Sequence, residues 1–324
     1  MFVEASAPGK VILAGEHFVV HGGKALALAI RRYVRIRVSP TDFPLEIYHS
    51  ESGKRDYVDS HGRWVSESRL KDLEPIEASV EAVFDYLGQR TNVRLDISSS
   101  IPMSAGLGSS ASLAAAIVKG VSHYLGHELD RGELIEIASA SERVVHGDPS
   151  GVDLSTVVSG GLVLFEGSFK RVVKNIRDVD LPLVVGDSSE RRSTGVLVGN
   201  VGEISKKYGK IFSHLVQTSD MIVERELEAI INGELETLGG LFNVSQGLLY
   251  SIGVSTPKLE RMVSRAIDLG ALGAKLTGAG GGGCMIALTR AENSSAVVKA
   301  LEDLGGESFF VQPDSVGVKS EAHF

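Results

Sequence analysis

An α+β fold divided between two domains is what this sequence predicts, and three observations predict it. The chain has 324 residues, against an allowance of about 150 per domain. Strand-like and helix-like patterns are mixed through its first half. From residue 183 onward an apolar run, long helical stretches, two strands, a helix and a last strand follow one another, as in a sandwich with helices on one face of a sheet.

The elements justify this in order. Residues 11–14, 25–30 and 33–38 are short apolar or alternating runs between turn residues, and 93–98 alternates as a half-buried strand does. Residues 51–72 are polar and charge-rich around Trp64, which suggests an exposed hairpin or loop with solvated charges. From Ser110, the residues Leu113, Ile117, Val121, Tyr124 and Leu125 fall at helical spacing, with Gly126 as the stop. From Glu133, Leu134, Ile137, Ala138, Ser141 and Val145 make one helix face, with Glu142 at its margin. The boundary falls near residues 174–180, giving domains 1–176 and 177–324. Beyond it, residues 193–232 and 235–249 read as helix, and 257–269 as a helix burying Leu259, Met262, Val263, Ala266 and Ile267. Strands 274–276, 284–289 and 308–311 and a helix over 294–304 complete the pattern.

Composition removes several function classes. With 43% hydrophobic and 23% charged residues the chain is an ordinary globular protein. Its 33 basic and 41 acidic side chains give a net charge of −8, a poor start for binding nucleic acid or an anionic membrane. The single cysteine, Cys284, cannot close an internal disulfide, so a reducing, cytoplasmic setting is expected for a soluble enzyme. Glycine is over-used, 37 of 324 or about 11% against a usual 7% or so. The excess gathers in four clusters, which points to loops lining a site rather than to a linker.

Four segments carry candidate chemistry. Residues 102–111, PMSAGLGSSA, form a glycine–serine loop running straight into a helix, whose free N–H groups and dipole suit a phosphate. Alone, this loop reads equally as a tight turn with a serine N-cap. In residues 7–23, Lys10 and the pair Glu16–His17 emerge at the two ends of a buried strand. In residues 142–153, Glu142 and Asp153 lie either side of a Pro-Ser-Gly turn that can bring them to one site. Glu142 with a serine hydroxyl offers Mg²⁺ the hard oxygen ligands it favours, while capping and surface pairing are the plain alternative. Residues 275–284, KLTGAGGGGC, put four consecutive glycines between two strands, suggesting close backbone approach to a ligand or to the other glycine loop. Cys284 reads as a small core residue.

Together these segments resemble the GHMP kinases, the family named for galactokinase, homoserine kinase, mevalonate kinase and phosphomevalonate kinase. The motifs read here as APGKVILAGEHFVVHG, PMSAGLGSSA, ERVVHGDPSGVD and KLTGAGGGGC and span residues 7–284. The resemblance implies a two-domain architecture, an N-terminal domain like ribosomal protein S5 and a C-terminal ferredoxin-like sandwich, with ATP and acceptor in the cleft. It implies Mg²⁺-dependent phosphoryl transfer from ATP to an alcohol. The motif spelling is most similar to family members acting on the 5-hydroxyl of mevalonate in isoprenoid synthesis. By motif position, Asp153 would be the base and Lys10 would neutralise charge. Ser104, Ala105, Gly106, Leu107, Gly108, Ser109 and Ser110 would wrap the ATP phosphates, with Ser99 near the nucleotide. Ser110 and Glu142 would hold Mg²⁺, and Glu16, His17, Arg192, Ser193 and Thr194 would lie on the acceptor side. Homodimers are common in the family. Ser104 stands where the family usually has glycine and Asp148 where relatives often have asparagine. Galactokinases usually place Thr-Asp where Phe18-Val19 stands, and phosphomevalonate kinases often carry Glu-Tyr in place of Glu16–His17. A non-catalytic sensor would keep the glycine loops but lose Lys10 or Asp153, and both are present.

Overall fold

The computed structural model describes residues 2–102, 106–146, 150–191 and 194–323, without the side chains of 70–72, 141 and 144–146. Its first layer is a nine-stranded sheet organised by two long strands, β1 (Phe2–Ala14) and β2 (Lys24–Ser39), antiparallel along nearly their whole length. The sequence pattern separates 25–30 from 33–38, yet these are one strand. The break in pattern is a register shift at Pro8/Gly9, where Arg31 and Arg32 have no partner on β1 and the Arg31 N–H instead donates to the Gln312 carbonyl at 2.8 Å.

The shift lets β2 serve two neighbours. Its end, Val34 to Ser39, pairs with β6 (Val93–Ser99), and its start, Lys24 to Leu28, pairs with β7 (Leu162–Glu166). Parallel to β6 runs β3 (Leu45–His49), followed by β4 (Lys54–Val58) and β5 (Trp64–Val65), while β8 (Arg171–Ile176) edges β7. The expected hairpin at 51–72 is therefore present, but its charges are not all solvated. Asp56 is buried and accepts hydrogen bonds from the Ser66 hydroxyl and the N–H groups of Glu67 and Ser68, organising the turn.

Of three helices, α1 (Leu70–Leu87), α2 (Ser109–Tyr124) and α3 (Arg131–His146), α2 packs on this sheet, and α1 and α3 pack on α2 and on each other. Helix α2 lies on β1 and β2 with Ala111, Ala114, Ala115, Ile117, Val118 and Val121 buried, its small residues allowing close approach. A short helix, α4 (Val152–Ser159), precedes β7.

The second sheet holds β9 (Leu183–Asp187), β10 (Gly273–Leu276), β11 (Cys284–Leu288) and β12 (Ser308–Phe310) in the order β10-β11-β9-β12, all antiparallel. Between β9 and β10 run α5 (Thr194–Lys207), α6 (Gly209–Asn232), α7 (Leu235–Ser251) and α8 (Pro257–Asp268), and α9 (Ala291–Leu304) joins β11 to β12. This interleaving of two strand–helix–strand units is the ferredoxin-like arrangement. The helical stretch expected over 193–232 is divided at Tyr208. Helix α8 starts on Thr256, whose hydroxyl accepts from the Leu259 N–H, a cap that stabilises by about 1 kcal/mol. Ile267, expected on its buried side, is exposed.

The strands of this sheet are apolar without alternation because both faces are covered. Val184, Met285 and Ala287 join a cluster with Leu259, Met262, Val297 and Leu301 of α8 and α9. Leu183, Val185, Cys284, Ile286 and Leu288 belong to the same apolar cluster as the core of the first sheet. The last strand, β13 (Lys319–His323), then returns to the first sheet and pairs with β1. Among the described residues no helix is long and apolar enough to cross a membrane.

Candidate active site

Lys10 lies in β1 opposite Ala29 of β2, with its side chain 2% exposed. Its backbone N–H donates to the Leu107 carbonyl at 2.9 Å, tying β1 to the loop before α2. Its Nζ donates to the Gly106 carbonyl at 3.1 Å and pairs with Asp153 Oδ1 at 3.0 Å. The lysine stem passes under Gly108, where an added Cβ would stand 2.9 Å from Lys10 Cγ, and Gly108 has φ +79°. Both facts require glycine there, immediately before the first turn of α2.

Asp153 is in the first turn of α4, behind Gly151 at φ +88°, with its side chain 36% exposed. The ion pair thus joins a sealed ammonium to a carboxylate that reaches solvent. Glu142, buried on α3, completes the acidic set. Burial, and then the charge of Asp153, pushes its carboxyl up to about 7, against the opposing pull of Lys10. Lys10 from the first motif and Glu142 and Asp153 from the two ends of the acidic one therefore meet at one place.

The glycine loop before β11 supports this place from the other domain. The Thr277 side chain accepts from the Ile12 N–H at 2.8 Å and donates to the Ile12 carbonyl at 3.0 Å. A Cβ on Gly278 would stand 3.0 Å from the Gly106 carbonyl oxygen, so the two glycine loops meet backbone to backbone, one of the two outcomes the sequence suggests. His17 donates from Nε2 to the Ala279 carbonyl at 2.8 Å, and burial lowers its pKa, which keeps the ring neutral with Nδ1 as an acceptor. Its backbone, at φ 61° and ψ −45° with the Phe18 N–H donating to the Glu16 carbonyl at 2.6 Å, forms a classic-type γ-turn, a strained conformation.

Glu16 is 1% exposed and forms an ion pair with Lys275, itself 0% exposed, on β10. This pair was not foreseen as a pair. The signal for it was Lys275 standing between apolar neighbours in a four-residue strand, an uncommon place for an ammonium without a partner.

The other expected positions fall as follows. Ser109 and Ser110 open α2 and are half-buried, and Leu107 points its side chain into the core. Ser99 ends β6, where its hydroxyl donates to the Ile101 carbonyl at 3.2 Å; no hydrogen bond or ion pair joins it to Lys10 or Asp153 among the described residues. Thr194 is exposed at the start of α5. Ser104, Ala105, Asp148, Arg192 and Ser193 lie outside the described residues. The chain just before Arg192 is pinned, since Arg191 makes a bidentate pair with buried Asp187 at 2.8 and 2.6 Å and the Gly283 N–H donates to the Glu190 carbonyl at 2.8 Å. Cys284 is buried, and burial pushes its thiol up, as expected of a core residue.

Residues 75–161 match the GHMP kinases N terminal domain and residues 227–307 the GHMP kinases C terminal domain, with a galactokinase galactose-binding signature at 3–40. The mevalonate kinase of Pyrococcus abyssi is 35% identical, with 98% of each chain covered, and that of Aeropyrum pernix 33% identical with the same coverage. The chain belongs to the GHMP kinases. It is an ATP-dependent small-molecule kinase. Among solved structures, L. major mevalonate kinase in complex with R-mevalonate superposes with a TM-score of 0.80 at 30% identity, covering 95% of each chain. Methanococcus jannaschii mevalonate kinase gives 0.80 at 28%, covering 97% of this chain and 98% of that one. Lactococcus lactis galactokinase, at 20% identity and a TM-score of 0.80, shares the fold.

Proposed function

We propose that this chain transfers the γ-phosphoryl group of ATP to the 5-hydroxyl of (R)-mevalonate, releasing ADP and 5-phosphomevalonate for isoprenoid synthesis. The observation that carries the reading is the Lys10–Asp153 pair at 3.0 Å, set beside the first turn of α2 in a chain with full-length relatives named mevalonate kinase. Phosphoryl transfer asks mainly for positioning and for positive charge around the phosphates.

In this reading the loop from Ser104 to Ser110 and the N-terminus of α2 take the phosphates, with Ser99 toward the nucleotide. Asp153 orients the acceptor hydroxyl and receives its proton as the new P–O bond forms and the bond to ADP breaks. Lys10 neutralises the charge that develops on the transferred group. The donor set fits Mg²⁺. Ser110 is half-buried at the helix start, and Glu142 is a buried carboxyl that feels the charge of Asp153, so a cation there would relieve like-charge repulsion. When bound, Mg²⁺ supplies charge neutralisation on the phosphates, and Ser110 and Glu142 would hold it.

On the acceptor side, His17 offers Nδ1 as an acceptor, and its chain neighbour Glu16 is held by Lys275. Because the Nε2–H of His17 is engaged by Ala279, we assign the acceptor carboxylate to Arg192, with Ser193 and Thr194 beside it. We divide the domains at 176/177, between the end of β8 and the start of β9, with β13 returned to the first sheet. The same reading places the enzyme in the cytoplasm, as pairs of identical subunits, without nucleic-acid or membrane partners.

Coupled ADP release with Mg²⁺-ATP and separate acceptors tests the reading. Turnover with mevalonate alone is expected; turnover with 5-phosphomevalonate or galactose instead would overturn the acceptor, and silence with all would overturn the kinase.

A further inference from the structure

Behind His17 lies a group of charges that the reaction above does not use. Lys275 on β10 donates to Glu16 and to the Leu276 carbonyl at 2.8 Å. Glu226, on the face of α6 turned inward, is fully buried and feels both charges, attraction from Lys275 and repulsion from Glu16. Neither of its carboxyl oxygens, nor Oε2 of Glu16, has a hydrogen-bond partner among the described residues. Two carboxyl groups therefore face one ammonium in a sealed space shared by the two domains, and a second full negative charge there has no compensation.

We infer that Glu226 is a positioning residue that holds a proton, leaving Lys275 wholly to Glu16, so that Glu16 can keep His17 in its strained turn against Ala279. Geometry supports this chain of action. Glu16 and His17 are adjacent, the γ-turn closes on the Glu16 carbonyl, and the strand that carries Lys275 runs directly into the loop that carries Ala279. Strain of this kind persists only when surrounding contacts over-determine it. Burial raises the Glu226 carboxyl well above its ordinary value, in agreement.

Burial also raises the carboxyls of Glu16 and Asp220, but both are present in wild type and in a Glu226 variant alike, so the difference between the two proteins reports Glu226. Burial lowers the pKa values of His17 and His21, so both are already neutral on the alkaline side. On the rim of α6, Asp220 and Glu224 face Lys24 of β2. Lys10 adds its positive charge from β1, and from α7 the side chains meeting this strand are the uncharged Asn243 and Gln246, which accept from the Ala274 and Leu276 N–H groups. Ionisation of Glu226 as pH rises would draw Lys275 away from Glu16 and loosen the turn.

The acceptor-side consequence rests on the placement of His17 proposed above, so the test has two arms. The first is thermal unfolding of wild type and Glu226→Gln from about pH 5 to about pH 9 in the full chain, with no substrate. A carboxyl whose folded pKa is raised contributes stability below its unfolded value near 4.5 that is lost as pH rises toward the folded value. Glu226→Gln is therefore expected to melt at or above wild type, with an advantage that widens with pH. A variant that melts lower, with a deficit that grows with pH, or that fails to fold while Glu226→Leu also fails, would overturn the proposal, because the carboxylate would then be needed in its charged form. The second arm is KM for the acceptor. A several-fold rise on the alkaline side in wild type, absent in Glu226→Gln and not shared by KM for ATP, is expected. Identical acceptor KM profiles in the two proteins would overturn the positioning role. Absence of turnover in both would instead remove the acceptor assignment while leaving the first arm to decide on the proton.

Discussion

Among the described residues two lysines are sealed from water, Lys10 at 2% and Lys275 at 0% exposure, and each is paired with a carboxylate. They differ in the partner. Asp153 is 36% exposed at the first turn of a helix, whereas Glu16 is as buried as the lysine that holds it. A buried cation whose partner reaches solvent can act on a ligand arriving there. A buried cation whose partner is also buried can only hold chain segments together, and breaking it leaves an uncompensated charge. Both pairs are made by residues of the glycine-rich motifs, so sequence proximity to a motif does not distinguish them. Exposure of the carboxylate does.

Breaking each pair should give opposite results. Lys10→Met is expected to cost about 10²–10³ in kcat, the usual loss when a charge-stabilising donor is removed. Its urea midpoint should stay near wild type, because Asp153 can be solvated. Lys275→Met should instead destabilise by about 3–5 kcal/mol. In urea unfolding, most of that loss should return when Glu16→Leu is added, since the pair is then replaced rather than broken. If Lys275→Met kept its stability and lost turnover, the distinction drawn from exposure would be wrong.

Smaller effects sharpen the comparison. Gly108→Ala forces a side chain into left-handed backbone, at about 1–2 kcal/mol, and against the Lys10 stem. Denaturation should show that loss together with a raised KM for ATP, a combination not expected at a glycine away from Lys10. Glu142 offers the pH test. With its carboxyl near 7, it is protonated below that value and ionised above it. The Mg²⁺ concentration giving half-maximal rate should therefore rise as pH falls through about 7. In metal-free enzyme the sign is reversed for stability, which is lost as pH rises through about 7, and Glu142→Gln should remove that loss in thermal unfolding.

Much of the fold was legible because local pattern determines it. Leu259, Met262, Val263 and Ala266 at helical spacing behind Thr256-Pro257 define α8, and the Gly-Leu-Gly-Ser-Ser run opens α2. Long-range pairing left no such signal. Residues 25–38 read as two strands because the register shift interrupts their alternation, and nothing near Lys319–His323 announces that it pairs with β1. Ile267 looked buried by spacing, but it lies at the edge of the face that α8 presents. At the site, Lys10, Glu142 and Asp153 stood out beside glycine-rich turns, with a Pro-Ser-Gly turn able to join the two carboxylates, while the arrival of Lys10 beside them follows from topology. Glu226 had no motif to mark it. In the sequence it is one glutamate among several on a helix, and only packing reveals that this one is sealed.

The most direct test is phosphorus NMR of one reaction mixture, Mg²⁺-ATP with mevalonate, run with wild type and with Asp153→Asn. The expected result is a 5-phosphomevalonate resonance growing with ADP in wild type and slower by about 10²–10⁴ in the variant, the span that a positioned proton acceptor contributes. Equal rates in the two proteins, or a product phosphorylated elsewhere, would contradict the account.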